Sequence, residues 1–267
     1  MCREMELRGE IEARQLDALG HTLSALGRFS EARSLWEEGL GIAKQRGMTT
    51  FSAWLKQHLG LLADMHLGRY EKARARGQAG LRIGRELDHR PVIGLAHLLL
   101  GCVALVRKEN DQALGSLRES IATYRASGQR YQLSVALAAL GMATVGLGER
   151  SEALRVLSEA LQIVAETGSF LALGWAIPGV VTLLLDEGQL ELAVEFYAMA
   201  SSRYPFVRAS HWFEDVVGQH VAAAAAALPP AVVEAAHARG EVRDPAETVR
   251  ELLVEFRSYP SGIVLDH

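Results

Sequence analysis

Five alanines, Ala32, Ala73, Ala113, Ala153 and Ala193, recur at spacings of 41, 40, 40 and 40 residues, and this cadence limits the fold more than any other feature of the chain. A fixed period of that length marks a repeat architecture. Other columns keep step. Four residues after each alanine stand Trp36, Gly77, Leu117, Leu157 and Tyr197, mostly bulky. Seven after stand Gly39, Gly80, Ser120, Ala160 and Ala200, all small. Fifteen after stand Gly47, Asp88, Gly128, Gly168 and Arg208. A phrase close to Leu-Gly-x-x-x-Glu-Ala ends at Ala32, Ala73 and Ala153, with weaker copies ending at Ala113 and Ala193.

One copy reads as a helical hairpin. A first helix ends at the glycine of that phrase (Gly27, Gly68, Gly148), which enters a left-handed turn without steric cost. The second helix carries the alanine, the bulky residue at i+4 and the small residue at i+7 on one face. Small residues let the two helices approach, and the bulky one fills the space beside them. The glycines at the fifteenth position stop the second helix; Asp88 can do so less well. The first helices are the apolar ones: residues 91–106, 131–148 and 167–185 hold no Asp, Glu, Lys or Arg. A single hairpin cannot bury both faces, so copies must stack into a solenoid. With 49% hydrophobic and 22% charged residues, the composition is that of a folded globular chain. Residues 167–185 are long enough to span a bilayer, but they contain Gly168, Gly174, Pro178 and Gly179 and keep the repeat register, so a buried solenoid helix is expected.

The pattern resembles the tetratricopeptide repeat. In that family a first-helix glycine precedes the second-helix alanine by twelve residues, and Gly20/Ala32, Gly101/Ala113 and Gly141/Ala153 match. Gly60 stands thirteen before Ala73, and Val181 replaces the glycine in the fifth copy. The closing proline is missing, and the period is longer than the usual ~34, as in the MalT-like variant of bacterial regulators. The resemblance implies an all-α, right-handed superhelical solenoid of about five such hairpins over residues 13–203. Gly20, Gly27, Ala32, Gly60, Gly68, Ala73, Gly101, Ala113, Gly141, Gly148, Ala153 and Ala193 would be its packing residues.

Both flanks are helical. Residues 1–12 interleave charges, as in a polar capping helix or the remnant of a preceding repeat. After Arg203 the texture changes. Ser210 can cap a helix through His211-Trp212-Phe213 to Leu228, Pro229-Pro230 break it, and a short helix ends at Gly240. Asp244-Pro245-Ala246-Glu247 then starts a final helix to about Arg257. Residues 204–267 would cap the solenoid, with a frayed end from Ser258. This segment resembles the tail that closes the repeat arm of SARP-type, LuxR-type and ATPase-coupled multidomain regulators.

Chemistry is sparse. No phosphate-binding glycine loop and no helix-turn-helix reader stands out, and a net charge of -4 does not suit a nucleic-acid or anionic-membrane surface. Two cysteines, Cys2 and Cys102, build no disulfide framework, and a charged N-terminus is unlike a secretory signal; both point to the cytoplasm. His58, His66, His89, His97, His211 and His220 form no i, i+3 or i+4 pair with one another, so they read as scattered surface histidines, with no metal site and no cofactor. Cys102, in an apolar run, reads as a small core residue. No nucleophile context is present, and the chain reads as non-enzymatic. The basic run from Arg69 to Arg90 could dock an acidic partner or phosphates; a solvated helix face is the simpler reading.

The resemblance places the concave surface on the first helices. Counting from each glycine, the stripe holds Arg14, Asp17, His21 and Ser24, then Trp54, Gln57, Leu61 and Asp64, then Leu95, Leu98, Cys102 and Leu105. Val135, Ala138, Met142 and Val145 come next, and lastly Trp175, Pro178, Thr182 and Leu185. Such a groove runs from polar to apolar and lacks the Lys and Asn of a chaperone-type carboxylate clamp. Trp54, Gln57, Leu61, Leu98, Cys102, Met142, Trp175 and Thr182 are its candidate contacts with a protein or peptide partner or a small-molecule inducer. Exposed apolar surface of that extent is uncommon, so intramolecular cover, by the next turn of the superhelix or by the C-terminal helices, is the favoured alternative. Two functions fit: the sensing arm of a larger bacterial regulator, or a stand-alone adaptor that bridges proteins or self-associates.

Overall fold

The computed structural model describes residues 2–258, and side chains for residues 8–257. No strand occurs among the described residues. Five hairpins succeed one another: α1 (Cys2–Ala25) with α2 (Phe29–Gln45), α3 (Thr49–His58) with α4 (Tyr70–Glu86), α5 (Arg90–Val106) with α6 (Asn110–Ser127), α7 (Arg130–Gly146) with α8 (Arg150–Thr167), and α9 (Phe170–Asp186) with α10 (Leu190–Arg203). Within the stack α4 packs on α5, α6 on α7, and α7 and α8 on α9. This is an all-α helical-repeat solenoid.

The repeat columns acquire physical meaning in the packing. Ala32, Ala73, Ala113, Ala153 and Ala193 are all completely buried, so the column faces inward in every copy. Each of three first-helix glycines makes room for a bulky residue of its partner. A Cβ on Gly20 would lie 2.6 Å from the Trp36 indole, on Gly101 2.6 Å from Leu117, and on Gly141 2.6 Å from Leu157. The hairpin turns close with the six-to-one hydrogen bond of a Schellman motif, as in Arg28 N–H to Leu23 O (2.8 Å) and Glu149 N–H to Thr144 O (2.9 Å). The residue before the donor is left-handed: Gly27 has φ 72° and Gly148 φ 73°. In the third hairpin Lys108 takes that conformation with φ 57°, and between the second and third hairpins Asp88 does so with φ 47°.

The second copy carries one residue more than the others. It is absorbed in a π-helical turn, Leu59–Asp64, that continues α3, with Met65 N–H donating to Gly60 O at 3.0 Å across five residues. An inserted residue in a packed helix widens one turn and rotates the part before it relative to the part after it.

The fifth copy breaks the fifteenth-position column. Arg208 does not stop α10; that helix ends at Arg203 because Tyr204, preceding Pro205, is extended (φ −118°, ψ 97°). Proline disfavours the helical conformation in the residue before it. A short α11 (Pro205–Arg208) and α12 (His211–Phe213) come next, then a second π-helical turn (Glu214–Gly218) and α13 (Gln219–Ala226). Ser210 caps α12, its hydroxyl accepting from Phe213 N–H at 3.1 Å.

Residues 2–12 continue into the first repeat helix without a break, as part of α1. Gly240 does not end a helix either. It lies within α14 (Pro230–Val242), where a Cβ would come within 2.2 Å of Glu195 O, so its role is close approach of α14 to α10. Asp244 caps α15 (Pro245–Ser258), accepting from Glu247 N–H at 2.8 Å. Residues 259–267, most of the expected frayed end, lie outside the described residues. No described helix is long and apolar enough to cross a membrane.

Candidate functional site

The chain's own segment 204–218 packs against residues of the first helices. Phe206, Trp212 and Phe213 are buried and gather around Trp175 of α9, with ring centroids 6.0, 5.7 and 5.1 Å from its indole. Gly174 leaves the space: a Cβ there would meet Phe206 at 2.6 Å. At the other end, the Pro205 carbonyl sits so near the first hairpin turn that a Cβ on Gly27 would lie 2.7 Å from it. Polar groups pin the segment between these ends. The Trp212 indole N–H donates to Cys102 O at 2.8 Å, the His211 N–H donates to His66 O at 3.0 Å, and the Tyr70 hydroxyl donates to the Asp215 carboxylate.

The segment does not fill the surface. Between it and the first hairpins remains a cavity of about 260 Å³. Leu61, Leu62, Leu95, Leu98 and Val135 form much of its wall, Trp54, Tyr131, Trp175 and Phe206 supply aromatic surface, and His21, Ser24, His58, His66 and Gln132 supply polar atoms.

The expected contacts divide into groups. Trp54, Leu61, Leu98 and Trp175 come together in this cavity. Met142 and Thr182 do not join them; they border a wider depression of about 660 Å³ on the far side of the C-terminal segment, with Asp215 and His220. Cys102 is buried beneath Trp212, and burial pushes its thiol pKa up. Gln57 does not face the groove. It is buried against α4, where its amide donates to Arg76 O at 3.0 Å in the space left by Gly80. Asp64 likewise turns to α4 and is completely buried beside Arg76, with Nε at 2.7 Å. The stripe expected from Gly60 assumes a regular helix; the π-helical turn rotates Gln57 and Asp64 away and presents His58, Leu62 and His66 instead.

The basic run is correspondingly less free than its sequence suggests. Arg69 and Arg76, together with Arg33 of α2, surround the Asp64 carboxylate at 3.8, 2.7 and 3.5 Å.

His58 and His66 are not surface histidines; both are buried. The His66 ring stacks on Phe29 at 4.5 Å and 9°, and burial pushes its pKa down to about 3. Its Nδ1 lies 2.7 Å from Ser210 Oγ. That hydroxyl already accepts the Phe213 N–H, so it is left with a proton to donate. The pair is best satisfied with Nδ1 as acceptor and the ring proton on Nε2. His58 Nδ1 lies 2.7 Å from Asp17 Oδ1, to which the Trp36 indole N–H also donates at 2.8 Å. His21 stands one helical turn from Asp17, with its Nε2 3.7 Å from the same oxygen. Desolvation and repulsion from His58 push the His21 pKa down to about 4. Burial alone would raise the Asp17 pKa, but the hydrogen bond and charge from His58, with His21 and Trp36, outweigh it and hold the carboxyl below its usual range. The one signal in the sequence was the Asp17/His21 spacing of four residues. His58 arrives from another helix, 41 residues on.

These features define a helical-repeat domain of the protein-interaction type, its inner surface lined by first helices. Residues 13–45, from the middle of α1 to the end of α2, match the tetratricopeptide repeat family, and the four later hairpins repeat its buried alanine. No curated protein matches the chain in sequence.

Proposed function

We propose that this chain is a non-enzymatic sensing module in which a small ligand occupies the cavity between the first hairpins and the inserted C-terminal segment. One observation carries the reading: the cavity wall is drawn from every first helix, α1, α3, α5, α7 and α9, and from Phe206 of the inserted segment. An occupant would touch all of them at once. Repeats in a solenoid couple only through shared interfaces, so such an occupant biases the curvature of the whole stack toward the state it binds best. In a larger regulator that bias would pass to an effector domain. The wall suits a compact, largely apolar molecule with an aromatic or planar part against Trp54 and Trp175.

The peptide-binding surface expected of such a groove is occupied by residues 204–218, which favours a small ligand over an extended peptide. Screening compounds of this class by thermal shift and by tryptophan fluorescence tests the reading. Binding should raise the melting temperature of the wild type and vanish in Val135→Phe, which reduces the cavity. Compounds that bind the Val135→Phe variant equally well would place the ligand elsewhere.

A further inference from the structure

Asp17 and His21 lie on one face of α1, four residues apart, and α3 brings His58 against them. One donor atom from each, a carboxylate oxygen and two ring nitrogens, all fall within 4.8 Å of one another. The two imidazole rings meet at 76° with centroids 4.3 Å apart. Four ligands about 2.0–2.1 Å from a tetrahedral Zn²⁺ stand roughly 3.3 Å from one another. Here the closest pair is 2.7 Å, His58 to Asp17, and the next is 3.7 Å, His21 to the same carboxylate oxygen. The first spacing must open slightly, the second must close slightly, and the two ring nitrogens, within 4.8 Å of each other, must also draw to about 3.3 Å to admit an ion.

A purely structural reading accounts for only part of this arrangement. The Asp17 carboxylate is satisfied by the Trp36 and His58 donors, but at 3.7 Å His21 makes no hydrogen bond to it. Beside a positioned carboxylate and a second imidazole, His21 is the third member of a two-histidine, one-carboxylate set. The Trp36 N–H then serves as the outer partner that orients a ligating carboxylate. The Asp17 and His58 side chains are only 14% and 3% exposed, so an ion there is largely enclosed by protein. His21, 46% exposed, leaves an open path from solvent.

We propose that Asp17, His21 and His58 bind a divalent transition-metal ion of the Zn²⁺ class, with the remaining coordination position open to the adjacent cavity. His21 and His58 both belong to the cavity wall, so a cavity occupant could supply the fourth ligand. Two nitrogens and one oxygen select Zn²⁺, Co²⁺ or Ni²⁺ over Mg²⁺ and Ca²⁺, which prefer all-oxygen shells. Ligation through His58 Nδ1 moves that ring's proton to Nε2. The site stands on these three residues whether or not the cavity takes an organic ligand.

The test uses the full chain, stripped with a chelator and titrated with Co²⁺, Zn²⁺ and Mg²⁺. Co²⁺ should develop the intense visible bands of a four- or five-coordinate ion; Zn²⁺ should erase them and Mg²⁺ should not. Zn²⁺ should also raise the melting temperature. His21→Ala, at a half-exposed position, should melt as the metal-free wild type does yet lose affinity at least about tenfold. Asp17→Asn, which keeps an oxygen for the Trp36 and His58 donors, should lose it similarly, whereas His237→Ala should bind as the wild type does. A Co²⁺ spectrum that stays that of the hydrated ion, or undiminished binding by folded His21→Ala, would overturn the proposal.

Discussion

The indole N–H of Trp212 donates to the backbone carbonyl of Cys102 across 2.8 Å, joining residues 110 positions apart. Trp212 lies in the inserted segment and Cys102 in the third first-helix, so this bond holds the segment to the middle of the concave surface. Trp212→Phe keeps most of the ring packing but removes the donor. We expect a loss of about 1–3 kcal/mol, the cost of leaving a buried acceptor short of a partner, read from denaturant unfolding. In a Cys2→Ser background the same substitution should speed labelling of the Cys102 thiol by a disulfide reagent. That thiol is buried, its pKa pushed up by burial, and it reacts only when the segment opens. Labelling at an unchanged rate would mean that Trp212 does not secure the segment.

His66 gives the fold a definite acid sensitivity. Its folded-state pKa of about 3 lies below the ~6.5 of an unfolded chain, so on acidification the unfolded state takes up the proton first. The stability held by the neutral ring is intact above about pH 6.5 and drains away as the pH falls towards 3, by up to about 1.4 kcal/mol per unit. Guanidinium midpoints at pH 7.5 and 5.5 should therefore differ more for the wild type than for His66→Asn. Equal slopes in the two proteins would refute the assignment.

Ala153 tests the packing register. Its side chain is completely buried. Ala153→Trp should overpack the fourth hairpin and cost on the order of 1–3 kcal/mol or more. An unchanged melting temperature would show that the column does not face inward.

Lys108 and Asp88 offer the opposite outcome. Both hold a left-handed backbone, φ 57° and 47°, where neighbouring copies use glycine. A side chain there costs about 1–2 kcal/mol, partly offset by the greater freedom glycine has when unfolded. Lys108→Gly and Asp88→Gly should each stabilise the protein by about 0.5–1 kcal/mol in thermal or denaturant unfolding. Destabilisation by either would indicate that the side chain makes a contact worth more than the strain.

Much of the scaffold was legible because one copy checks another. Ala32 to Ala193, the glycines facing Trp36, Leu117 and Leu157, and the left-handed turns all repeat, and packing between neighbouring hairpins is local in sequence. The site was legible only in part. Trp54, Leu98 and Trp175 could be placed by counting along regular helices, and Leu61 stays in the wall although it lies in the π-helical turn. Gln57 could not be placed so, because the extra residue between Ala32 and Ala73 shows in the spacing but not the turn that absorbs it. The roles of His58 and His66 depend on Asp17 and Ser210, 41 and 144 residues away, and no periodicity reports such a meeting.

The carbonyl of Pro205 rests against the turn at Gly27, and this contact changes how the molecule can come apart. A linear array can lose its last unit and leave the first undisturbed. Here the segment leaving the final hairpin returns to the opening one, so the stack behaves more like a bracelet with a clasp. Loosening the clasp would free both ends together, because the segment leaving the last hairpin touches the first one directly and not only through the copies between them.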